Sequence, residues 1–237
     1  MCRLLGFSVK GEVDHKALKS LIDAARNDVF SRYLNHPHGW GISAIIYRDN
    51  KPRVLHFKSP IPIYDDPTFY DIASLLKGDR VIGMIHVRRA GKGFLLGVRH
   101  NHPYHVRTKN LDIYFAHNGS ISRKAFEDPN YPSTDSYLFL QEIIKNIDRN
   151  NLDVKRAYEE TIIKLSEFSV TLNSILLSLS NEDVSLLVGH YYNKNKMRDV
   201  EDYYKMYRYE NYVFSSTVMY YYGVKGEELR QGSVIEI

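Results

Sequence analysis

Apolar residues recur along this chain at two different periods. Leu18, Leu21, Ile22, Ala25, Val29 and Phe30 follow the three-and-four spacing of one helix face, which predicts a helix over residues 16–33. Residues 67–76, opening on Pro67 at the first helical position, and residues 137–147 and 154–168 read as further helices. Short apolar or alternating runs predict strands at 4–9, at 54–57, at 81–87 and at 113–116. His38-Gly39-Trp40-Gly41 is a glycine-bracketed turn that leads into a strand running to Tyr47, and Asp49-Asn50-Lys51-Pro52 reads as the hairpin turn that follows. The last third is strand-like at 174–179, 185–191, 212–216 and 233–237. No repeat or Pro/Ser-rich linker interrupts the pattern. A single α+β domain over residues 1–237 is the simplest account.

Composition narrows the class. Of 237 residues 43% are hydrophobic and 25% charged, as in ordinary globular proteins. No apolar run reaches the ~18 residues of a membrane span. Nothing at the N-terminus reads as a secretory leader, so a cytoplasmic location is expected, without membrane association. The net charge of +4 comes from scattered basic residues, which argues against a nucleic-acid partner. Nineteen tyrosines are many, and they gather between Tyr191 and Tyr222, where strand and interface positions are expected.

The sole cysteine, Cys2, directly follows Met1. If Met1 is removed, the chain starts with a thiol beside a free α-amino group, which titrates near pKa ~7.7–8.0 and can act as the thiol's base. The bland alternative is a small hydrophobe on an edge strand. His117-Asn118-Gly119 leaves an apolar strand. Asn-Gly is a common hairpin turn, but an Asn amide and a Gly N–H also suit an oxyanion hole. Arg88 and Arg89 stand where the strand at 81–87 leaves the sheet; alternation puts them on opposite faces, with Arg89 read as a surface charge and Arg88 suited to a carboxylate. Ser133-Thr134-Asp135-Ser136 reads as a helix cap, or Asp135 receives an ammonium group. His86, His100, His102, His105 and His117 lack the spacing of a metal site, so neither metal nor cofactor is expected.

Cys2, Gly39-Trp40-Gly41, His86-Val87-Arg88, Asn101-His102-Pro103, His117-Asn118-Gly119 and Thr134-Asp135-Ser136 follow one another as in class II glutamine amidotransferases, which this chain resembles. The match looks closest to short stand-alone members. Residues 172–187 and 212–216 are similar to that family's late strands. The resemblance implies an N-terminal-nucleophile hydrolase, a four-layer αββα sandwich of two mainly antiparallel sheets. It implies Cys2 as nucleophile and its α-amino group as base, with Asn118 and Gly119 as the oxyanion hole. Arg88 is then expected on the substrate α-carboxylate and Asp135 on its α-ammonium, with His102 and Trp40 among the substrate-binding positions. The expected substrate is glutamine or a γ-glutamyl amide, cleaved through a thioester, with ammonia passed to a separate synthase subunit or an amine released. Three positions depart from the family pattern. His38 and Tyr137 stand where acidic residues are usual, and Gly91 replaces a hydroxyl residue. Those departures keep open a catalytically weak binding protein on the same fold. The histidines also leave open an ordinary Cys-His hydrolase.

Overall fold

The computed structural model describes residues 2–31, 34–150, 153–181, 183–196 and 200–237. Its centre is β1 (Arg3–Glu12), an apolar strand that lies between β4 (Lys77–Val87) and β10 (Tyr212–Ser215). Beyond β4 the sheet continues with β2 (Trp40–Arg48) and β3 (Lys51–Ser59), joined at Asp49-Asn50 by a two-residue turn with φ of 54° and 57°. Left-handed backbone at both turn residues suits Asp-Asn and matches strand twist. On the other side, β9 (Met206–Tyr209) and β11 (Glu227–Glu228) complete seven strands.

A second sheet of five strands has β6 (Asp112–Ile121) and β7 (Ser169–Leu179) at its middle. They are flanked by β5 (Tyr104–Arg107) on one side, and by β8 (Val184–His190) and β12 (Ser233–Glu236) on the other. Every strand pair is antiparallel.

Alternation sorts each strand's side chains into two layers. In β4, Val81, Ile85 and Val87 face a core shared with α1 (His15–Arg26), α2 (Thr68–Ala73) and α6 (Ser216–Tyr222), the next helix after the short α5 (Glu201–Tyr204). Ile82 and Met84 instead enter a core between the sheets, with Leu4, Ala116, Ile175, Leu186 and Val213. The opposite face of the second sheet packs on α3 (Asp135–Arg149) and α4 (Val154–Ser166) through Phe115, Phe139, Tyr158 and Leu176. The expected αββα sandwich is the observed architecture, and these three cores are its layer boundaries.

Three elements differ from the sequence reading. The first helix ends at Arg26, and Asn27 is extended (φ −142°, ψ 100°), because Asp28 turns inward to a buried partner. Arg32 and Tyr33, at the far end of that predicted helix, lie outside the described residues. The strand expected at 113–116 does not stop at His117-Asn118-Gly119: β6 runs on to Ile121. In the tyrosine-rich region α6 replaces strand, with Val218, Met219 and Tyr222 buried at helical spacing. Burial against α1 outweighs the β-preference of its aromatics.

Gly189 of β8 lies beneath α4, where an added Cβ would come within 2.5 Å of Ile162 Cδ1 and 2.7 Å of Tyr158 Oη. Gly189→Ala therefore overpacks the helix–sheet boundary and is expected to cost about 1–3 kcal/mol. A melting temperature equal to wild type would contradict this packing.

Candidate active site

The inter-sheet layer changes from aliphatic to polar at one end of the sandwich. Continuing the alternation of Ile82 and Met84 brings His86 and Arg88 to that face of β4. Ala116 leads in the same way to Asn118 in β6, and Leu4 leads back to Cys2. These strand ends meet: the main-chain N–H of Cys2 donates to Asn118 Oδ1 at 2.8 Å, across the gap between the sheets. A cavity of about 510 Å³ opens there, with Cys2, Arg88, His102, Gly119 and Asp135 in its wall. Met1, whose removal would turn that N–H into an amine, lies outside the described residues.

Cys2 is buried, and its thiol meets the carbonyl of Arg89 at 3.8 Å. Among the described residues no histidine nitrogen shares a hydrogen bond with it. Both ring nitrogens of His117 are occupied instead. Nε2–H donates to the Thr171 carbonyl at 3.1 Å, and Nδ1 lies 2.9 Å from Ser136 Oγ. Burial lowers its pKa, so the ring is neutral and Nδ1 accepts from the hydroxyl. His86 Nε2 and His102 Nδ1 bond to each other at 2.9 Å, and burial holds both well below the ordinary histidine range. His117 also explains Gly119: a Cβ there would overlap the Thr171 carbonyl and the His117 ring.

Arg88 is 5% exposed. Its Nη2 donates to the Leu95 carbonyl at 2.7 Å, while Nη1 is buried with no partner among the described residues. A buried, unsatisfied guanidinium N–H in a cavity wall is costly, and an anion would relieve that cost. Arg89 is half-buried and reaches the Asn35 carbonyl at 2.5 Å, so it is tied to the neighbouring loop.

Thr134 is the cap of α3, accepting from Tyr137 N at 3.2 Å. Asp135, the next residue, accepts from the N–H groups of Ile121 (2.8 Å) and Ser136 (2.9 Å). Two of a carboxylate's four lone-pair sites are thus used and two remain. The cap reading holds for Thr134, and Asp135 beside it stands in the cavity wall.

Trp40 is not part of the cavity. Trp40, Ile42, Ala44 and Ile46 alternate onto the helix-facing core, and the indole packs on Phe57 and Phe69 while Nε1 donates to Asp66 Oδ2 at 2.9 Å. Its flanking glycines are the part of the motif nearer the site. A Cβ on Gly39 (φ 95°) would strike Asn101, and one on Gly41 would strike the His102 carbonyl. Of the three departures, His38 takes a main-chain role, with Nδ1 accepting from Ala90 N at 2.8 Å beside Arg88. Burial and the two neighbouring arginines lower its pKa. Gly91 lies in the cavity wall and Tyr137 outside it, against Tyr131 and Tyr104.

Sequence reasoning missed Arg3 and Asp28. Both are fully buried as an ion pair, Nε–Oδ2 2.7 Å and Nη2–Oδ1 2.9 Å, which His36 and Thr217 also join. The one signal was a charge opening an otherwise apolar strand.

Residues 1–181 match the family model of glutamine amidotransferases class-II. No curated protein matches the chain. Among solved structures, the allosteric regulatory enzyme of purine biosynthesis superposes with a TM-score of 0.61 at 16% identity, over 100% of this chain and 47% of that one. The chain thus spans about half the length of that enzyme, and at this identity the likeness is one of fold. A glutamine aminotransferase class-II domain protein from Silicibacter pomeroyi covers 100% of this chain and 94% of its own, at 15% identity and a TM-score of 0.49.

Buried neutral histidines make stability sensitive to mild acid. Burial pushes His36 and His190 down to about 4 from the ordinary 6.5. Between those values the unfolded chain takes up protons that the folded one refuses, so stability falls as pH drops, by about 1.4 kcal/mol per pH unit for each histidine. The melting temperature is expected to fall more from pH 6.5 to 5.5 than from 7.5 to 6.5. Equal steps would mean that these rings protonate freely in the fold.

Proposed function

The chain belongs to the class II glutamine amidotransferases, and we propose that it hydrolyses the side-chain amide of glutamine, or a γ-glutamyl amide, with Cys2 as nucleophile. The observation that carries this reading is the 2.8 Å bond between Cys2 N and Asn118 Oδ1. It sets the nucleophile's own nitrogen against the amide whose other end donates hydrogen bonds.

Once Met1 is removed, the Cys2 nitrogen is an amine. It takes the thiol proton, through a water, and the thiolate attacks the substrate carboxamide carbon. Negative charge develops on the carboxamide oxygen, where the Asn118 Nδ2–H and the Gly119 N–H receive it. Collapse breaks the C–N bond, and the ammonium returns its proton to the departing ammonia or amine. Water, deprotonated by the same amine, then cleaves the thioester to release the γ-carboxylate and the thiol. The unpaired Nη1 of Arg88 supports a role on the α-carboxylate, the two spare lone-pair sites of Asp135 a role on the α-ammonium, and the place of His102 in the same cavity wall a role in substrate binding.

We read residues 1–237 as one domain, because β8, β9, β10 and β12 complete the two sheets begun by the matched residues. A separate synthase subunit is the acceptor we propose for released ammonia. No helix among the described residues is long and apolar enough to cross a membrane.

Asn118→Ala is expected to lower kcat by about 10²–10³-fold with little change in KM, since the lost donor acts in the transition state. A pure KM effect would make Asn118 a ground-state binding residue. The amine's role is tested by an uncleavable N-terminal tag, which converts it to an amide. The tagged protein should fold, by circular dichroism, yet release no ammonia until a protease exposes Cys2. Full activity with the tag in place would rule out the terminal amine as base, and binding of glutamine without turnover by the exposed form would make the chain a binding protein.

A further inference from the structure

The strand that carries Cys2 loses half of its ladder just where the nucleophile sits. On the β4 side pairing reaches Arg3, opposite Val87. On the β10 side it stops at Leu5–Phe214, because the chain turns into α6 at Ser216. Side chains replace the missing ladder. The N–H of Leu4 donates to Ser215 Oγ at 2.8 Å. Arg3 grips Asp28 with two nitrogens, donates Nη1 to the Tyr203 carbonyl at 3.1 Å, and lies 3.6 Å above the Tyr203 ring centroid. Asp28 accepts in turn from Thr217 Oγ1 at 2.5 Å and from His36 Nε2 at 2.7 Å, and Ser216 Oγ donates to the same Tyr203 carbonyl at 2.9 Å.

Stability alone does not account for this arrangement. A buried ion pair often contributes no more than a well-packed apolar pair of the same volume, because desolvation offsets the attraction. What ions and hydrogen bonds add is direction: each of the three guanidinium nitrogens of Arg3 has an acceptor, which holds the main chain at residue 3 in place. That position lies one peptide bond from Cys2. None of these residues lines the cavity.

We infer that Arg3, Asp28 and Thr217 form a clamp that positions Cys2 for attack, so that residues 203–217, beyond the 181 matched to the family, belong to the support of the active site. They are positioning residues, and the inference rests on the reading of Cys2 as nucleophile.

Thr217→Val removes one hydroxyl from the clamp and leaves the cavity wall intact, and Asp28→Asn weakens the clamp further. Each is compared with Ile147→Val, a core change at the far end of α3, as a control for destabilisation. Cys2 is the only thiol, so intact mass after iodoacetamide treatment reads its reactivity alone. In folded Thr217→Val, kcat for glutamine should fall about tenfold or more with KM within roughly twofold, and the alkylation rate should shift by roughly threefold or more, beyond any change in Ile147→Val. A kcat no lower than that of Ile147→Val would overturn the clamp as a positioning device. Should Asp28→Asn fail to fold, Thr217→Val decides alone. If wild type releases no ammonia, or Cys2→Ala releases it at the wild-type rate, the hydrolase reading fails. The alkylation rate then decides the clamp by itself, an unchanged rate overturning it.

Discussion

Two sheets packed face to face leave between them a layer that water does not enter, and everything placed there must be apolar or fully hydrogen-bonded. Most of that layer is aliphatic, with Leu4, Ile82, Met84, Ile175, Leu186 and Val213 in contact. At one end the same strands contribute Cys2, His86, Arg88, Asn118, Asn173 and His190, all buried. Some of these polar atoms are matched: Asn173 accepts from His190 Nδ1 at 2.8 Å and donates to the Tyr204 carbonyl, while His86 and His102 bond to each other. Other atoms of this polar end, His86 Nδ1, His102 Nε2 and His190 Nε2, are likewise buried without a partner among the described residues, but Nη1 of Arg88 belongs to a cation and sits in the cavity wall.

Much of the site was legible because strand periodicity carries direction as well as identity. The apolar run over β4 fixed which face Arg88 would take relative to Val87, and the apolar run at 113–116 led to His117-Asn118-Gly119, although β6 continues past it to Ile121. Trp40 was not legible in the same way. Its motif marks the region, yet alternation along β2 sends the indole to the helix side, and the glycines beside it are what admit Asn101 and His102. Arg3 and Asp28 were out of reach because their pairing is made by the fold. Nothing in a sequence says that residue 28 should leave a helix to meet residue 3, still less that residue 217 should join them. The helix α6 was misread for a related reason, since aromatic residues suit strands until a neighbouring helix claims one of their faces.

Gly119 shows how a motif can owe its residue to a neighbour. Its φ is not in the left-handed region, so conformational freedom does not require glycine there. The His117 ring and the Thr171 carbonyl occupy the space a side chain would need. His117 is held in that place by Ser136, at the start of α3, next to Asp135. One helix start thereby fixes the glycine's surroundings and presents the carboxylate, and the two sides of the cavity are set by the same turn.

The order in which the chain is made has a bearing on when Cys2 acquires its folded surroundings. β1 is synthesised first, yet its partners on either side are β4, some eighty residues later, and β10, some two hundred later. Contacts so distant in sequence close late, because the intervening loop must first lose its entropy. Until Ser215 and Thr217 dock, the segment around Cys2 has no neighbour on that side, and the thiol belongs to an ordinary peptide. A nascent or partly unfolded chain therefore carries Cys2 without the partners that fix its place in the fold.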